Sequence, residues 1–439
     1  MRTGVNVAIA FVLLVPGVVS PAAAEGRPPQ SMSLFGTPPA GSAPGGQIPG
    51  MRPETVGAVA YVSLSAQANS GLRGAAGSQR IEIALPGGGS VTCTMRSETR
   101  PGGMLLLTGV SSDGGPSGRC NLVVDRGQIT GEIDVASGRY QIVPMGAGSA
   151  HAVVEVRTEE FPNEVEPQIP PDEPRQERTV VPNAAPQDIP ACDVKPRPGQ
   201  QPRSFGPVRV MIVYTRAAKA DTANIRAEIE LIMNQTREAF SLQNTGGNFS
   251  VAVELAHVQE VAYQETNLSE DLRHLSDPQD PIFRAIHAMR DRFRADVVHM
   301  LIKKQSNEGC GVGWLNLPMR ADLAFSLSDR QCALGQFSAT HEIAHTLGLA
   351  HDRFVVPEEK QRPGDFNFGF VSVDKGFRTI MSYPDECTQA KKRCPRVLYF
   401  SSPNIQLNGV NIGRPLWDPD AAYNLEQLCR NAPLATRFR

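Results

Sequence analysis

The stretch "SATHEIAHTLGLAHDRF", Ser338 to Phe354, constrains this chain more than any other. His341 and His345 stand four residues apart, which on a helix puts both imidazoles on one face, a turn apart and able to share one ion. His351 follows ten residues after His341, and a continuing helix would carry it roughly 15 Å along the axis, out of reach. Gly348 offers the solution, because a glycine can adopt the left-handed conformation that ends a helix and turns the chain back. Three neutral imidazoles with an open fourth position describe a catalytic rather than a structural Zn2+ site. His341, His345 and His351 are therefore the expected ligands of one catalytic Zn2+. Glu342, about 100° around the helix from His341, is the expected general base, taking a proton from the water that the metal acidifies and passing it to the leaving amine. A lone HExxH arises by chance in helices, but this chain has only eight histidines and three fall at ligand spacing. The other five, His151, His257, His274, His287 and His299, are scattered and read as ordinary core or surface residues.

The N-terminus, "MRTGVNVAIAFVLLVPGVVSPAAAEGRPPQ", has one arginine, an apolar run from Val5 to about Val19 and an A-x-A site at Ala22 to Ala24. This is the pattern of a secretory signal, residues 1–24. The run is too short and too interrupted by Pro16 and Gly17 for the ~20 residues of a membrane span, and no later stretch is long enough. A soluble, secreted or periplasmic monomer without a membrane anchor is expected. The formal net charge of −2 gives no case for nucleic acid or an anionic lipid surface. Export makes the eight cysteines, an even number, candidates for disulfides.

Composition divides the remainder. Residues 25–54 are Pro-, Gly- and Ser-rich and read as a flexible lead-in. Residues 55–156 carry short β-like runs punctuated by glycines, a small all-β domain in which Cys93 and Cys120 are the only cysteines and so a bridge. Residues 157–206 are rich in proline and acidic side chains, an exposed linker with a processing site. From 207 to 439 the texture is α/β: "VRVMIVYT", "FSVAVELAHV" and "DVVHMLI" as strands, with helical spacing between them, predict a mixed, mostly parallel sheet carrying the zinc-binding helix. "GCGVGWLNL" and "AFSLSDRQC" read as edge elements near a cleft.

The pattern H-E-x-x-H-x-x-G-x-x-H, followed about thirty residues later by Met381 in "GFRTIMSYPDEC", is the metzincin signature. Within that clan the chain resembles the reprolysin (adamalysin-like) peptidases of secreted bacterial type, over about Val208 to Arg439. Asp352 directly after the third histidine, the opening strand, the Cys310 and Cys332 pair before the zinc helix and "CTQAKKRCPRVLYFSSPNI" all fit that group. The resemblance implies a zinc endopeptidase acting on protein or peptide, with Met381 as a hydrophobic floor beneath the metal. It implies that the segment from about Pro384 to Phe400 sets primed-side specificity. Tyr383 departs from the group and matches a metzincin tyrosine that can reach zinc; it is a transition-state hydrogen-bond donor, a ligand or a packed aromatic, packing being favoured.

A secreted protease needs a latency device, and the β-rich prodomain is the expected one. Cys192, just upstream of the catalytic domain, has two readings. As a thiolate it would occupy the fourth zinc position. Alternatively, with Cys93–Cys120, Cys310–Cys332 and Cys387–Cys394 paired, it joins Cys429, and this second arrangement leaves no odd thiol. Two other functions compete with a latent endopeptidase: a zinc amide hydrolase acting on a non-protein substrate, and a secreted interaction protein with structural zinc. Glu342 argues against the last, since a structural site has no use for a base.

Overall fold

A computed structural model describes residues 31–37, 47–72, 77–113, 118–146, 148–169, 192–303, 309–362 and 364–439. The signal sequence and the middle of the linker, 170–191, lie outside the described residues. Among the described residues no helix is long and apolar enough to cross a membrane.

The N-terminal part is mostly β and differs from the all-β expectation by one short α-helix, Ala66–Gly71. Its strands are β1 (Met32–Ser33), β2 (Phe35–Gly36), β3 (Val56–Leu64), β4 (Ser78–Ala84), β5 (Ser90–Thr99), β6 (Leu105–Ser111), β7 (Arg119–Asp125), β8 (Gln128–Val135), β9 (Gly138–Pro144) and β10 (Ala150–Val156). They pair in the order β1-β4-β5-β6-β7-β8-β9-β10-β3-β2. Only Leu34 separates β1 from β2, and its N–H bonds to Glu82 while its carbonyl accepts from Ser65. One N-terminal strand thus touches both outer edges, pairing two residues with β4 and two with β3, and draws the sheet round into a barrel. Alternating residues such as Ile81, Ile83, Leu122, Ile133 and Ile142 fill the interior, and Cys93 is bonded to Cys120 across it.

Two expectations about the flanks of this barrel need correction. The lead-in is not flexible throughout: Met32, Leu34 and Phe35 are buried in the barrel wall, and Ile48 and Met51 are buried nearby. Short apolar runs among prolines and glycines supply strand pairing that composition hides. Nor is the start of the linker an exposed spacer. Phe161 and Glu164 are buried, because residues 163–168 run parallel to a strand of the catalytic part and bond to its backbone.

The C-terminal part is built on five strands: β11 (Arg203–Thr215), β12 (Phe249–Val261), β13 (Val297–Ile302), β14 (Gly311–Gly313) and β15 (Phe325–Asp329), ordered β12-β11-β13-β15-β14. The β11–β12, β11–β13 and β13–β15 pairs are parallel, and β14 runs antiparallel at the edge. "VRVMIVYT" is apolar without alternation because β11 is covered on both faces. On one face lies the helix Ile225–Ala239, whose N-terminus is capped by the Asn224 side chain accepting from the Ala227 amide. The reading of "AFSLSDRQC" as an edge is corrected: β15 is interior, and only β14 borders the cleft.

Residues 192–202 fold with the catalytic part. Cys192 is bonded to Cys429 in the helix Asn424–Ala435, and Asp193 accepts from Asn248 and Ser402. The thiolate reading of Cys192 is therefore corrected, since its sulfur is committed to a disulfide and cannot ligate zinc. The structure also pairs Cys310 with Cys332 and Cys387 with Cys394, and no cysteine among the described residues is free. The barrel packs on the catalytic part through Arg139, whose guanidinium donates to the carbonyls of Gly335 and Arg396 and lies 4.0 Å from the Phe337 ring centre.

Candidate active site

The helix Ser338–His345 is buried along its whole length. It ends as geometry requires. Gly348 has φ +85°, its N–H bonds to His345 O at 2.9 Å, and the Leu349 N–H bonds to Ala344 O at 3.2 Å. These two bonds form the Schellman pattern, which satisfies the last carbonyls and reverses the chain. A side chain at 348 would also collide with Asn431 Nδ2 and Leu317 Cδ2, which lie 2.6 and 2.7 Å from where its β-carbon would stand.

The reversal brings His351 back to the helix. The three Nε2 atoms of His341, His345 and His351 lie 2.9 to 3.0 Å from one another. The Nδ1 of His341 donates to Ile380 O at 2.9 Å and that of His345 to Leu349 O at 2.7 Å. Protons held on Nδ1 leave the Nε2 lone pairs pointing inward. Burial pulls the His341 pKa down to about 4, and those of His345 and His351 well below the ordinary value, so all three are neutral, as ligation demands.

Met381, Ile343 and Leu347 are buried in one hydrophobic cluster, and the carbonyl of Ile380 is the one that holds His341. Asp352 joins this turn to the third histidine: its Oδ2 accepts the Tyr383 backbone N–H at 2.8 Å. Burial raises the Asp352 pKa to about 6, with the Tyr383 amide opposing. The Tyr383 ring lies 4.3 Å from that of His351. Its hydroxyl is engaged rather than merely packed, donating to Glu164 O at 2.6 Å.

Glu342 completes the site. Both carboxylate oxygens are buried without a hydrogen-bond partner, a costly arrangement unless water or an ion completes it. Burial, then the negative charge of Glu164, pushes its pKa well above the carboxylate range, against the pull of Arg396. Gly311 and Gly313 of β14 lie so close to Glu342 that a β-carbon at 311 would fall 2.8 Å from its side chain. Three converging neutral nitrogens beside an orphaned carboxylate fit a single zinc-like ion.

The model of metallo-peptidase family M12B, reprolysin-like, matches residues 208–415. Over that segment the chain resembles the reprolysin-like metallopeptidases. It is similar to a peptidyl-Asp metalloendopeptidase of Stenotrophomonas maltophilia strain K279a, 28% identical over 364 residues, 81% of this chain and 78% of that one. A protein of the same name from Xanthomonas campestris pv. campestris is 28% identical over 287 residues, 65% of this chain and 62% of that one. Among solved structures, metalloproteinase-II from Bacteroides fragilis is 10% identical, covers 63% of this chain and 82% of that one, and has a TM-score of 0.40, too low to define a shared fold. The activity of this reprolysin-like enzyme is peptide-bond hydrolysis, which leaves the non-protein amide hydrolase and the interaction protein without support.

In this peptidase a segment of the chain itself pairs with the β14 edge. Residues 163–168 lie alongside β14: Cys310 N–H bonds to Asn163 O, Val165 N–H to Gly311 O, Gln168 N–H to Gly313 O and Leu315 N–H to Gln168 O. The Glu164 side chain enters a closed pocket and meets Arg396, Nη1 to Oε1 at 2.6 Å and Nη2 to Oε2 at 2.7 Å, with Ser338 Oγ donating to Oε1 at 2.7 Å. Burial alone would raise the Glu164 pKa, but Arg396 and these bonds hold it well below the usual carboxylate range. Sequence reasoning does not single out Glu164, Ser338 or Arg396 as site residues. The one available signal is the position of Arg396 in the segment after the Met-turn; Glu164 looks like one more solvated acid in an acidic linker.

Proposed function

We propose that the chain is an exported, zinc-dependent endopeptidase made as a latent precursor, with Glu342 as general base and a preference for bonds beside acidic residues. Both oxygens of Glu342 are buried without a partner next to three converging imidazoles, and this carries the assignment. Zn2+ held by His341, His345 and His351 supplies Lewis acidity for the scissile carbonyl and lowers the pKa of water. Glu342, desolvated and hence a stronger base than an exposed carboxylate, takes the proton of the attacking water and returns it to the leaving nitrogen. Tyr383 supplies a hydroxyl donor where the Glu164 carbonyl now sits, so a substrate carbonyl in that place receives the same bond as charge develops on it.

Latency is supported by the backbone pairing of residues 163–168 with β14, which occupies the edge that an extended substrate would use. Cleavage within 170–191 separates the barrel from the catalytic part in sequence. Export is supported by the disulfides. The acidic preference comes from the names of the relatives, which are peptidyl-Asp metalloendopeptidases.

Hydrolysis of casein and labelled peptides by the chain cut within 170–191 tests the assignment. Activity is expected to vanish with a zinc chelator and return on adding about one equivalent of Zn2+. Hydrolysis that ignores the chelator would overturn it.

A further inference from the structure

Arg396 lies two residues beyond Cys394, and its guanidinium is enclosed, with side-chain exposure of 1%. Its fork meets both oxygens of Glu164, and Ser338, one turn before His341, adds a third bond. Glu164 also presents its carbonyl to Tyr383 beside His351. Side chain paired with the buried guanidinium and carbonyl on the hydroxyl of a tyrosine packed against His351 is a placement that suits a substrate residue next to the scissile bond.

The charge balance of this pocket depends on the uncut chain. Arg396, Ser338 and a second buried guanidinium, Arg378, all belong to the catalytic part. Arg378 donates to Cys394 O and Ser382 O, and burial, reinforced by the like charge of Arg396, pulls its pKa well below the ordinary value. Among the described residues, the carboxylate paired with Arg396 comes only from Glu164, on the N-terminal side of the linker. When that segment leaves, Arg396 loses its counter-ion while a second guanidinium stays nearby, a state that proteins do not tolerate cheaply. A rigid, planar, forked donor in a closed site favours a group that can accept both arms of the fork, as a carboxylate does.

Resting on the peptidase assignment above, we propose that Arg396 and Ser338 form the subsite that selects an acidic side chain next to the scissile bond, and that Glu164 is its built-in occupant in the uncut chain. An amide of the same shape leaves the guanidinium unpaired, and sites built around a buried polar partner reject such analogues strongly. Specificity and latency are then one device: the residue that blocks the pocket carries the group that the pocket recognises.

The test uses the full zinc-loaded chain, uncut, as wild type, Glu164→Ala, and Glu164→Ala combined with Arg396→Gln. Each is given peptides that differ only in one central Asp, Asn or Ala. Glu164→Ala is expected to hydrolyse the Asp peptide at least ~10-fold faster than wild type and to prefer it over Asn by a similar or larger factor, a preference that Arg396→Gln removes. Because Arg396 also donates to Gln336 O, its variant can lose fold, so binding is read separately. The melting temperature of Glu164→Ala should rise with N-acetyl-aspartate amide and not with N-acetyl-asparagine amide. Equal rates on Asp and Asn peptides, or a wild type as active as Glu164→Ala, would overturn the proposal. If no form hydrolyses any peptide, the peptidase assignment fails instead, and the thermal shift still decides the pocket: selective stabilisation by the aspartate compound upholds it, equal shifts sink it.

Discussion

Asp352 Oδ2 accepts the backbone N–H of Tyr383 at 2.8 Å, tying the residue after the third histidine to the turn that carries Met381. The two sides of the metal site, 31 residues apart in sequence, are thereby held in one register. The Asp352 carboxylate accepts from backbone amides, those of Tyr383 and Phe354, so its effect is to position. Asp352→Ala should keep the ligands but lower zinc affinity by roughly 10- to 100-fold, the range for losing a residue that orients a ligand. Competition with a chromogenic chelator measures this, and an unchanged affinity would show that the link does not hold His351 in place.

Gly348 makes a second prediction. With φ +85° and neighbours 2.6 and 2.7 Å from a β-carbon, Gly348→Ala must strain the backbone and displace Asn431, whose Nδ2 donates to Leu347 O. A cost of about 1–3 kcal/mol is expected, together with loss of zinc because His351 no longer returns to the helix. Gly409, with φ +79° and nothing near its β-carbon, supplies the comparison: Gly409→Ala should cost backbone strain without losing metal.

His299 gives a pH dependence independent of the metal. It is fully buried in β13 between Ser326 Oγ and Ser328 Oγ, both 2.9 Å from its ring nitrogens, and desolvation depresses its pKa to about 3. The unfolded chain takes up a proton near pH 6.5 while the folded chain does not. Stability is thus undiminished above that pH and falls as pH drops toward the folded value, by roughly 1 kcal/mol per unit. In excess chelator, denaturant midpoints at pH 7 and pH 5 should show His299→Gln losing about 2 kcal/mol less than wild type over that interval. Parallel losses would mean that His299 titrates normally in the folded chain.

How far the sequence could be read depended on how local the determining contacts are. The histidines and Gly348 fall within eleven residues, and the convergence of the three imidazoles follows from helix geometry, so that cluster was legible from the sequence alone. Strands such as "VRVMIVYT" were legible because burial on both faces leaves a continuous apolar run. The Glu164–Arg396 pair spans 232 positions, and nothing local distinguishes Glu164 from the solvated acids beside it. The same holds for Met32 to Phe35, whose strand pairs with residues about 30 to 50 positions away and so hid in a segment with a linker's composition. Cys192 shows the intermediate case: counting cysteines narrowed it to two fates, and only the three-dimensional approach to Cys429 chose between them.

The central claim is that a carboxylate beside three imidazoles activates water. Glu342→Gln removes the basic oxygen while keeping size and leaving His341, His345 and His351 untouched. Measured on the chain cut within 170–191, the variant should bind zinc stoichiometrically and lose at least ~100-fold in peptide hydrolysis, the scale of general-base catalysis. Full zinc occupancy with wild-type hydrolysis would contradict the account.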